Sequence, residues 1–299
     1  MERKTAHDFD QELLILFDAY VHGAIDRRGF LDKAAKYAVG GVTAAMLLDQ
    51  LSPKFLEAQV VKPEDSRIKV QRVEYDSPKG YGKMRGYLAQ PAKAAGKLPA
   101  VLVIHENRGL NPHIEDVARR FALAGFMAFA PDGLSSAGGF PGDDYRGGQM
   151  FSKIDGKKMF EDMVAAALWL KGRADCTGKI GVTGFCYGGS VSNNLAVRLG
   201  ADLSAAAPFY GGAPTAKEDV AKIKAAILVH HGELDTRLAQ AWPAYDALLK
   251  EAGVTHEGYI YPGAVHGFHC DATPERYNKA AADLAWGRTV DWFNKHVRA

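Results

Sequence analysis

The sequence predicts an α/β fold in which a mostly parallel central sheet carries helices on both faces. The main observation is that continuous apolar runs, typical of buried parallel strands, alternate along the chain with stretches of helical periodicity. The composition agrees, because 47% hydrophobic and 24% charged residues are typical of a globular protein. At 299 residues, the chain is long enough for one large domain or two modest ones.

The predicted elements follow one another in a regular order from about residue 66. A strand pair is expected at 68–75 and 83–89, turned by Ser77-Pro78-Lys79-Gly80. Further strands are predicted at 100–105, 126–130, 179–183, 204–209, 225–231 and 257–261, and helices at 113–124, 157–172, 187–199, 238–252 and 275–297. Functional residues of such sheets lie just beyond the carboxyl ends of the strands, so the loops after each strand are the expected place for the active site.

The first sixty residues form a different region, predicted to be an N-terminal helical segment (1–60) that a short linker joins to the main domain (66–299). A helix is expected from about residue 8 to residue 22, and Gly23 breaks it. Asp26 then caps a second helix that runs to about Leu51, where Ser52-Pro53 stops it.

Arg27-Arg28, followed by Phe30-Leu31, gives this segment two interpretations. It is either a helical hairpin packed on the main domain or a twin-arginine-like export signal. The acidic lead-in and Lys36 favour the hairpin. The expected location is therefore the cytoplasm, and the alternative is the periplasm.

Charge and cysteine content exclude several classes of protein. The 37 basic and 35 acidic residues give no electrostatic reason to expect nucleic acid as a partner. No run approaches the roughly 20 apolar residues of a membrane span. The three cysteines are odd in number and widely spaced, so neither a disulfide framework nor a metal site is predicted.

The most specific motif is Gly184-Phe185-Cys186-Tyr187-Gly188, which follows a predicted strand and opens a predicted helix. This is the strand-turn-helix setting of the nucleophile elbow, with Cys186 in the position of the usual serine. Glycines two residues to either side suit the strained turn, and a helix N-terminus favours a thiolate. A buried structural cysteine is the alternative interpretation.

The elbow predicts an acid and a histidine further along the chain, each in the loop after a strand. Asp235 and His266 occupy such loops in the required order. Glu233 is the alternative acid, and His269 is the nearest alternative histidine.

A second motif, residues 105–109, follows the strand that ends at Ile104. By position, the backbone N–H groups of Asn107 and Tyr187 are the expected oxyanion donors. Glu106 would lie close to the nucleophile, where a carboxylate can act as a base or hold the proton of the thiol. A local surface ion pair of Glu106 with Arg108 is the alternative.

Taken together, these motifs resemble the dienelactone hydrolase family, the carboxymethylenebutenolidases, over roughly residues 66–299. The resemblance implies an α/β-hydrolase fold and a triad of Cys186, His266 and Asp235. It also implies that Glu106 helps to switch the thiol to the thiolate when substrate arrives, and that no cofactor is needed.

The sequence departs from this family where a substrate carboxylate would be bound. The resemblance implies two arginines, one just past the histidine and one after Pro131-Asp132, yet neither stretch contains one. Arg108, Tyr145 and Arg146 are the candidate substitutes.

The expected activity is cysteine-dependent hydrolysis of a small ester or lactone through a thioester. The alternatives are a broad carboxylesterase or thioesterase, and a non-catalytic binding protein on the same fold. The expected partner is a small-molecule substrate, and the expected state is a monomer or small homo-oligomer.

Overall fold

A computed structural model describes residues 8–21, 24–53, 55 and 58–298, apart from the side chain of Asp18. The helices are α1 (Gln11–Val21), α2 (Arg27–Ala34), α3 (Ala44–Leu51), α4 (Pro112–Leu123), α5 (Asp144–Phe151), α6 (Gly156–Lys171), α7 (Tyr187–Leu199), α8 (Lys217–Val220), α9 (Thr236–Glu251) and α10 (Lys279–Phe293). The strands are β1 (Ile68–Ser77), β2 (Gly82–Pro91), β3 (Leu98–Ile104), β4 (Met127–Pro131), β5 (Cys176–Phe185), β6 (Ala205–Phe209), β7 (Ala226–Gly232) and β8 (His256–Tyr261).

All eight of these strands join one sheet in the order β1-β2-β4-β3-β5-β6-β7-β8. β2 pairs antiparallel with both β1 and β4, and the remaining neighbours are parallel. The chain winds to one side from β3 to β4 and then crosses to the other side at β5. Ligands of open α/β sheets bind at such a switch point, so the loops after β3 and β5 are the expected place for a site.

Two apolar clusters cover the two faces of the sheet. Strand β3 shows why, because Val101 and Val103 face one cluster while Leu102 and Ile104 face the other. Helices α4 and α10 pack on the first face, and α6 and α7 pack on the second. The strand is buried on both sides, which accounts for its unbroken apolar sequence. The predicted fold class is thereby confirmed.

The N-terminal segment differs from the prediction in one respect. The single helix expected from Asp26 to about Leu51 is instead two helices, α2 and α3, with a short 3₁₀ turn after α2. Gly40 and Gly41 both have positive φ, at 63° and 84°, and these backbone angles interrupt the helix between α2 and α3. His22 and Gly23, assigned to the end of the first helix and the break after it, lie outside the described residues.

The main domain also differs from the prediction in one added helix and one helix boundary. Helix α5, which is not among the predicted helices, lies in a glycine-rich stretch, with Asp143 as its N-cap. Helix α10 starts at Lys279 rather than near residue 275, so Arg276 belongs to the preceding loop. No helix within the described parts of the chain is long and apolar enough to cross a membrane.

Candidate active site

Cys186 lies between the end of β5 and the start of α7, at a sharp backbone turn. It has a positive φ of 54°, one of two non-glycine residues in the described structure with this feature. Such a conformation is strained for an L-residue and persists only where the surroundings impose it. The side chain is partly exposed at the helix N-terminus, whereas Cys176 and Cys270 are buried. The elbow predicted from the sequence is therefore present.

The flanking glycines are required by backbone contacts. A Cβ atom on Gly184 would lie 2.2 Å from the carbonyl oxygen of Gly188, and one on Gly188 would lie 2.3 Å from that of Ile104. Real Cβ atoms do not approach other atoms so closely. The turn is thus pressed against the end of β3, and this contact places Cys186 beside the loop that follows β3.

His266 and Asp235 meet in the loops after β8 and β7. The Nδ1 atom of His266 is 2.5 Å from Oδ2 of Asp235, and His266 also forms a hydrogen bond with Cys186. Since the carboxylate holds Nδ1, the other ring nitrogen is left to face the sulfur. The structure therefore brings Cys186, His266 and Asp235 together as a hydrogen-bonded series.

The protonation of His266 follows from these contacts. Burial lowers the pKa of His266. The hydrogen bonds to Asp235 and Cys186 and the charges of both groups raise the pKa by more than burial lowers it, and the net result is a pKa of about 10. The imidazole is therefore protonated at neutral pH. A cation beside the sulfur stabilises the thiolate, which is the nucleophilic form of cysteine.

The alternative acid and histidine point elsewhere. Glu233 is exposed, and its carboxylate accepts a hydrogen bond from the backbone of Gly263. His269 is buried and stacks on Phe185, with ring centroids 5.0 Å apart. Its pKa lies well below the ordinary value because burial disfavours the charged ring. The partners of Glu233 and His269 in these interactions are thus neither Cys186 nor His266.

The loop after β3 is held in place by His105. The ring is fully buried, with Nδ1 2.5 Å from the carbonyl oxygen of Glu106, and Nε2 accepts a hydrogen bond from Gly133 N–H. Burial lowers the pKa of His105, which keeps the ring neutral, as this pair of bonds requires. Asn107 follows on this loop, while Tyr187 begins α7, where the first N–H groups have no intrahelical partner.

Glu106 shares this region with a residue that the sequence motifs did not reveal, Tyr210. Tyr210 follows β6 with a φ of 36°, and its ring centroid is 5.0 Å from that of His266. Burial, together with the charges of Glu106, Cys270 and Cys186, holds the pKa of Tyr210 well above its ordinary value. A strained, buried tyrosine at a strand end is recognisable from structure, but no motif marks it in the sequence.

The three predicted substrate-binding residues have different surroundings. Arg108 and Tyr145 both line a cavity of about 480 Å³ beside Asn107, whereas Arg146 is exposed and is not among the lining residues. The guanidinium of Arg108 is buried and donates hydrogen bonds to the backbone carbonyls of Val21 and Asn107. Arg108 therefore does not form the surface ion pair considered from the sequence.

Arg276 is a second cation at the cavity, and sequence reasoning missed it. Its side chain approaches Gly267, one residue after His266. The resemblance implies arginines just past His266 and after Pro131-Asp132, and Arg276 lies in neither stretch. The sequence predicts a helix from about residue 275, whereas the structure has a loop there that brings Arg276 to the cavity.

The sheet order, the elbow and the hydrogen-bonded Cys-His-Asp series define the class of the protein, an α/β-hydrolase. The dienelactone hydrolase family model matches residues 84–297, and the chain belongs to this family. The predicted enzyme class, a carboxylic ester hydrolase, is confirmed at that level. A YqhI-like family model matches residues 1–37.

Individual relatives agree with the family assignment. The chain is 31% identical over 237 residues to a Methylorubrum extorquens protein named "Putative carboxymethylenebutenolidase", covering 75% of this chain and 80% of that protein. It is 54% identical over 114 residues to the Escherichia coli K12 "Putative hydrolase fragment YghX", covering 38% of this chain and 97% of the fragment. The crystal structure of a Klebsiella pneumoniae "Putative Dienelactone Hydrolase" is 27% identical, with a TM-score of 0.63, over 76% of this chain and 99% of that one.

Proposed function

We propose that the protein is a cysteine-dependent hydrolase that cleaves a small ester or lactone through a thioester intermediate. The observation that carries this proposal is the convergence of Cys186, His266 and Asp235 at a strained elbow. Family membership supports the hydrolytic chemistry. The partly exposed sulfur beside a protonated imidazole supports the choice of nucleophile.

In the proposed mechanism, the Cys186 thiolate attacks the carbonyl carbon, and the backbone N–H groups of Tyr187 and Asn107 stabilise the oxyanion. The carbon–oxygen bond to the alcohol then breaks, and His266 gives its proton to the departing oxygen, which leaves an acyl thioester. His266, oriented by Asp235, next takes a proton from water, which attacks the thioester. Release of the carboxylic acid restores the thiolate and the imidazolium.

Glu106 is proposed to regulate the charge of the sulfur in this cycle. Its carboxylate acts electrostatically on Tyr210 and Arg108, as Cys186 does, so both groups belong to the same electrostatic environment. A carboxylate there disfavours the thiolate that the imidazolium of His266 favours, and where the sulfur is protonated it can take the proton of the thiol when substrate binds.

Hydrolysis of p-nitrophenyl acetate, with and without iodoacetamide, tests the proposal. We expect Cys186→Ala to lower turnover by about 10³-fold or more, as removal of a nucleophile does. Cys176→Ala is the matched control, since this buried cysteine lies at the start of β5, and it should keep full turnover. An acetyl group on the Cys186 peptide, found by mass spectrometry after rapid acid quenching, would identify the thioester.

Full activity of the alkylated protein, or of Cys186→Ala, would overturn the thiol mechanism. If the wild-type protein hydrolyses neither aryl esters nor lactones, a non-catalytic binding role becomes the better interpretation.

A broad-specificity carboxylesterase or thioesterase is the second candidate, and the charge of the cavity favours it. Asp26, Asp143 and Asp144 line the cavity with two arginines, so positive charge is not in excess. The rates on a dienelactone and on uncharged aryl esters separate the two candidates. Equal or faster turnover of the uncharged esters would favour the broad esterase.

We also propose a cytoplasmic location, because Arg27 and Arg28 begin a capped helix whose Phe30 lies in a hydrophobic cluster. Sequencing the N-terminus of the protein from its native host tests this, since export would remove the segment. Size-exclusion chromatography would separate a monomer from a small homo-oligomer.

A further inference from the structure

The N-terminal segment builds one wall of the cavity beside the candidate active site. The cavity of about 480 Å³ lies within the range of small-molecule sites. Helix α1 and the turn after it contribute Phe17, Tyr20 and Ile25, and helix α5 contributes the opposite side. The matched family domain, which begins at residue 84, therefore supplies only part of the lining of this cavity.

Aromatic rings dominate the apolar part of the lining. They are Phe17, Tyr20 and Phe55 from the N-terminal segment and Tyr145 and Phe151 from α5. Tyr20 and Tyr145 stack across the boundary between the two regions, with centroids 5.2 Å apart and planes 12° apart. Aromatic walls favour a flat aromatic guest, because ring–ring contacts add attraction beyond the apolar area that they bury.

Two lining residues connect the cavity to the reacting centre, although Cys186 and His266 themselves do not line it. Asn107, a proposed oxyanion donor, is one of its lining residues. Phe151 is a second lining residue, and its ring contacts that of Tyr187, directly after Cys186, with centroids 4.9 Å apart. A group bound in the cavity would therefore extend from an ester whose carbonyl lies at the elbow.

Charge argues against an anionic guest. Arg108 already donates to the carbonyls of Val21 and Asn107, and Asp144 lies close enough to act on it electrostatically. Burial raises the pKa of Asp144 to about 6, so this carboxylate is largely ionised at neutral pH. The cavity thus offers aromatic surface without an excess of positive charge.

We propose that this cavity is a binding subsite for an uncharged aromatic group of the ester, and that Tyr20 and Phe17 select that group. The inference rests on the proposed function for its link to catalysis. The N-terminal segment is then part of the substrate-binding machinery, although it supplies none of the reacting groups.

Paired esters test this selectivity. The pairs are phenyl acetate with ethyl acetate, and methyl benzoate with methyl acetate, followed by pH-stat titration. We expect Tyr20→Ala and Phe17→Ala to lower the aromatic-to-aliphatic ratio of kcat/KM in at least one pair by about 3- to 10-fold, the range that one ring contact supplies. Tyr20→Phe, which keeps the ring, and Ile15→Ala, at an exposed position of the same helix, should keep the wild-type ratio.

Unchanged ratios in both alanine variants would overturn the subsite while leaving the hydrolase proposal standing. A thermal melt of each variant shows whether the fold is kept. If both esters of a pair slow equally, the segment has only a structural role and the inference fails.

A binding measurement separates this inference from failure of the proposed function. Calorimetry with phenol, which is uncharged at neutral pH, on Cys186→Ala requires no turnover. Adding Tyr20→Ala to that variant should weaken binding by about 3- to 10-fold. An unchanged affinity, or no binding to Cys186→Ala at all, would reject the subsite whether or not the enzyme is active.

Discussion

The elbow and the N-terminal wall are held in place by different kinds of contact. At the elbow, backbone approaches backbone so closely that Gly184 and Gly188 admit no side chain. At the wall, a ring stack between Tyr20 and Tyr145 and the hydrogen bond from Arg108 cross the boundary. Backbone contacts leave almost no room for change, whereas side-chain contacts can be exchanged. The chemistry is therefore rigidly positioned and substrate selection is adjustable.

The two regions also have separate interiors. The helices of the N-terminal segment share one hydrophobic cluster, which includes Phe17, Phe30 and Leu51 and is packed against Tyr145. The main domain has two clusters of its own, one on each face of the sheet. We propose that residues 1–60 and 66–299 are distinct units, joined where Val60 and Val61 donate to Asp116.

The largest expected effect comes from adding one methyl group at the elbow. Gly188→Ala places a Cβ 2.3 Å from the carbonyl oxygen of Ile104 and forces the turn away from β3. We expect p-nitrophenyl acetate turnover to fall by about 10²-fold or more, since small displacements of reacting groups have effects of that size. Gly287→Ala is the control, because this exposed helical glycine has open space around it and alanine should stabilise the helix by about 1 kcal/mol. Normal turnover of Gly188→Ala would show that the elbow tolerates movement.

The next effect concerns the separate interiors. Phe30→Ala removes a fully buried ring from the N-terminal cluster and should destabilise that segment by about 3–5 kcal/mol. We expect limited proteolysis to cut residues 8–53 first, while the melting of the main domain is unchanged. Phe121→Ala, in a main-domain cluster, should lower that melting temperature instead. One shared transition that moves equally in both variants would argue against two units.

A third prediction concerns the charge of His266. Its pKa of about 10 rests on hydrogen bonds to Asp235 and Cys186 working against burial, so Asp235→Asn should lower the pKa by at least one unit. Because the pKa of His266 is raised in the folded state, the protonated imidazole stabilises the folded protein. This stabilisation is complete below about pH 6.5 and is lost as the pH rises through 10. NMR titration of the imidazole measures the pKa, with Asp246→Asn, beside His256, as control. An ordinary pKa near 6.5 in the wild-type protein would refute the proposed ion pair.

The smallest effect is expected at the wall. Burial raises the pKa of Asp144 to about 6, so ionisation of this carboxyl destabilises the folded protein as the pH rises from about 4 through 6. Asp144→Asn should therefore melt a few degrees above the wild-type protein at pH 8, and the difference should shrink near pH 4. Asp143→Asn, at the N-cap of α5, is the control because asparagine caps a helix equally well. A constant difference at both pH values would contradict the assigned cause.

Sequence reasoning succeeded where local pattern and structure agree. Strand β3 was predicted from its apolar run, and the elbow from its glycines and position, since these features depend on neighbouring residues alone. Helix α5 was missed because Gly147 and Gly148 lower helix propensity. The structure explains Gly147, as a Cβ there would lie 2.4 Å from the carbonyl oxygen of Arg108.

The remaining differences have two sources, one local and one long-range. The cap at Asp26 and the stop at Ser52-Pro53 predict one long second helix, but the adjacent Gly40 and Gly41, both with positive φ, break it. Tyr210 and Arg276 reach the site from a strand end and a loop that carry no motif. The order of residues along the chain predicts that an acid in the loop after β7 pairs with His266. Only the geometry of that loop shows that the acid is Asp235 and not Glu233.

The bond from Arg108 to Val21 has a consequence for how such enzymes diverge. Arg108 as a whole is 6% exposed, and a carbonyl of the N-terminal segment is one of the acceptors of its guanidinium. A descendant that lost the helices would leave this cation short of a partner, next to Asn107, so the deletion would select for a compensating change at position 108. Among related proteins, the presence or absence of these helices should therefore correlate with the residue at the position of Arg108.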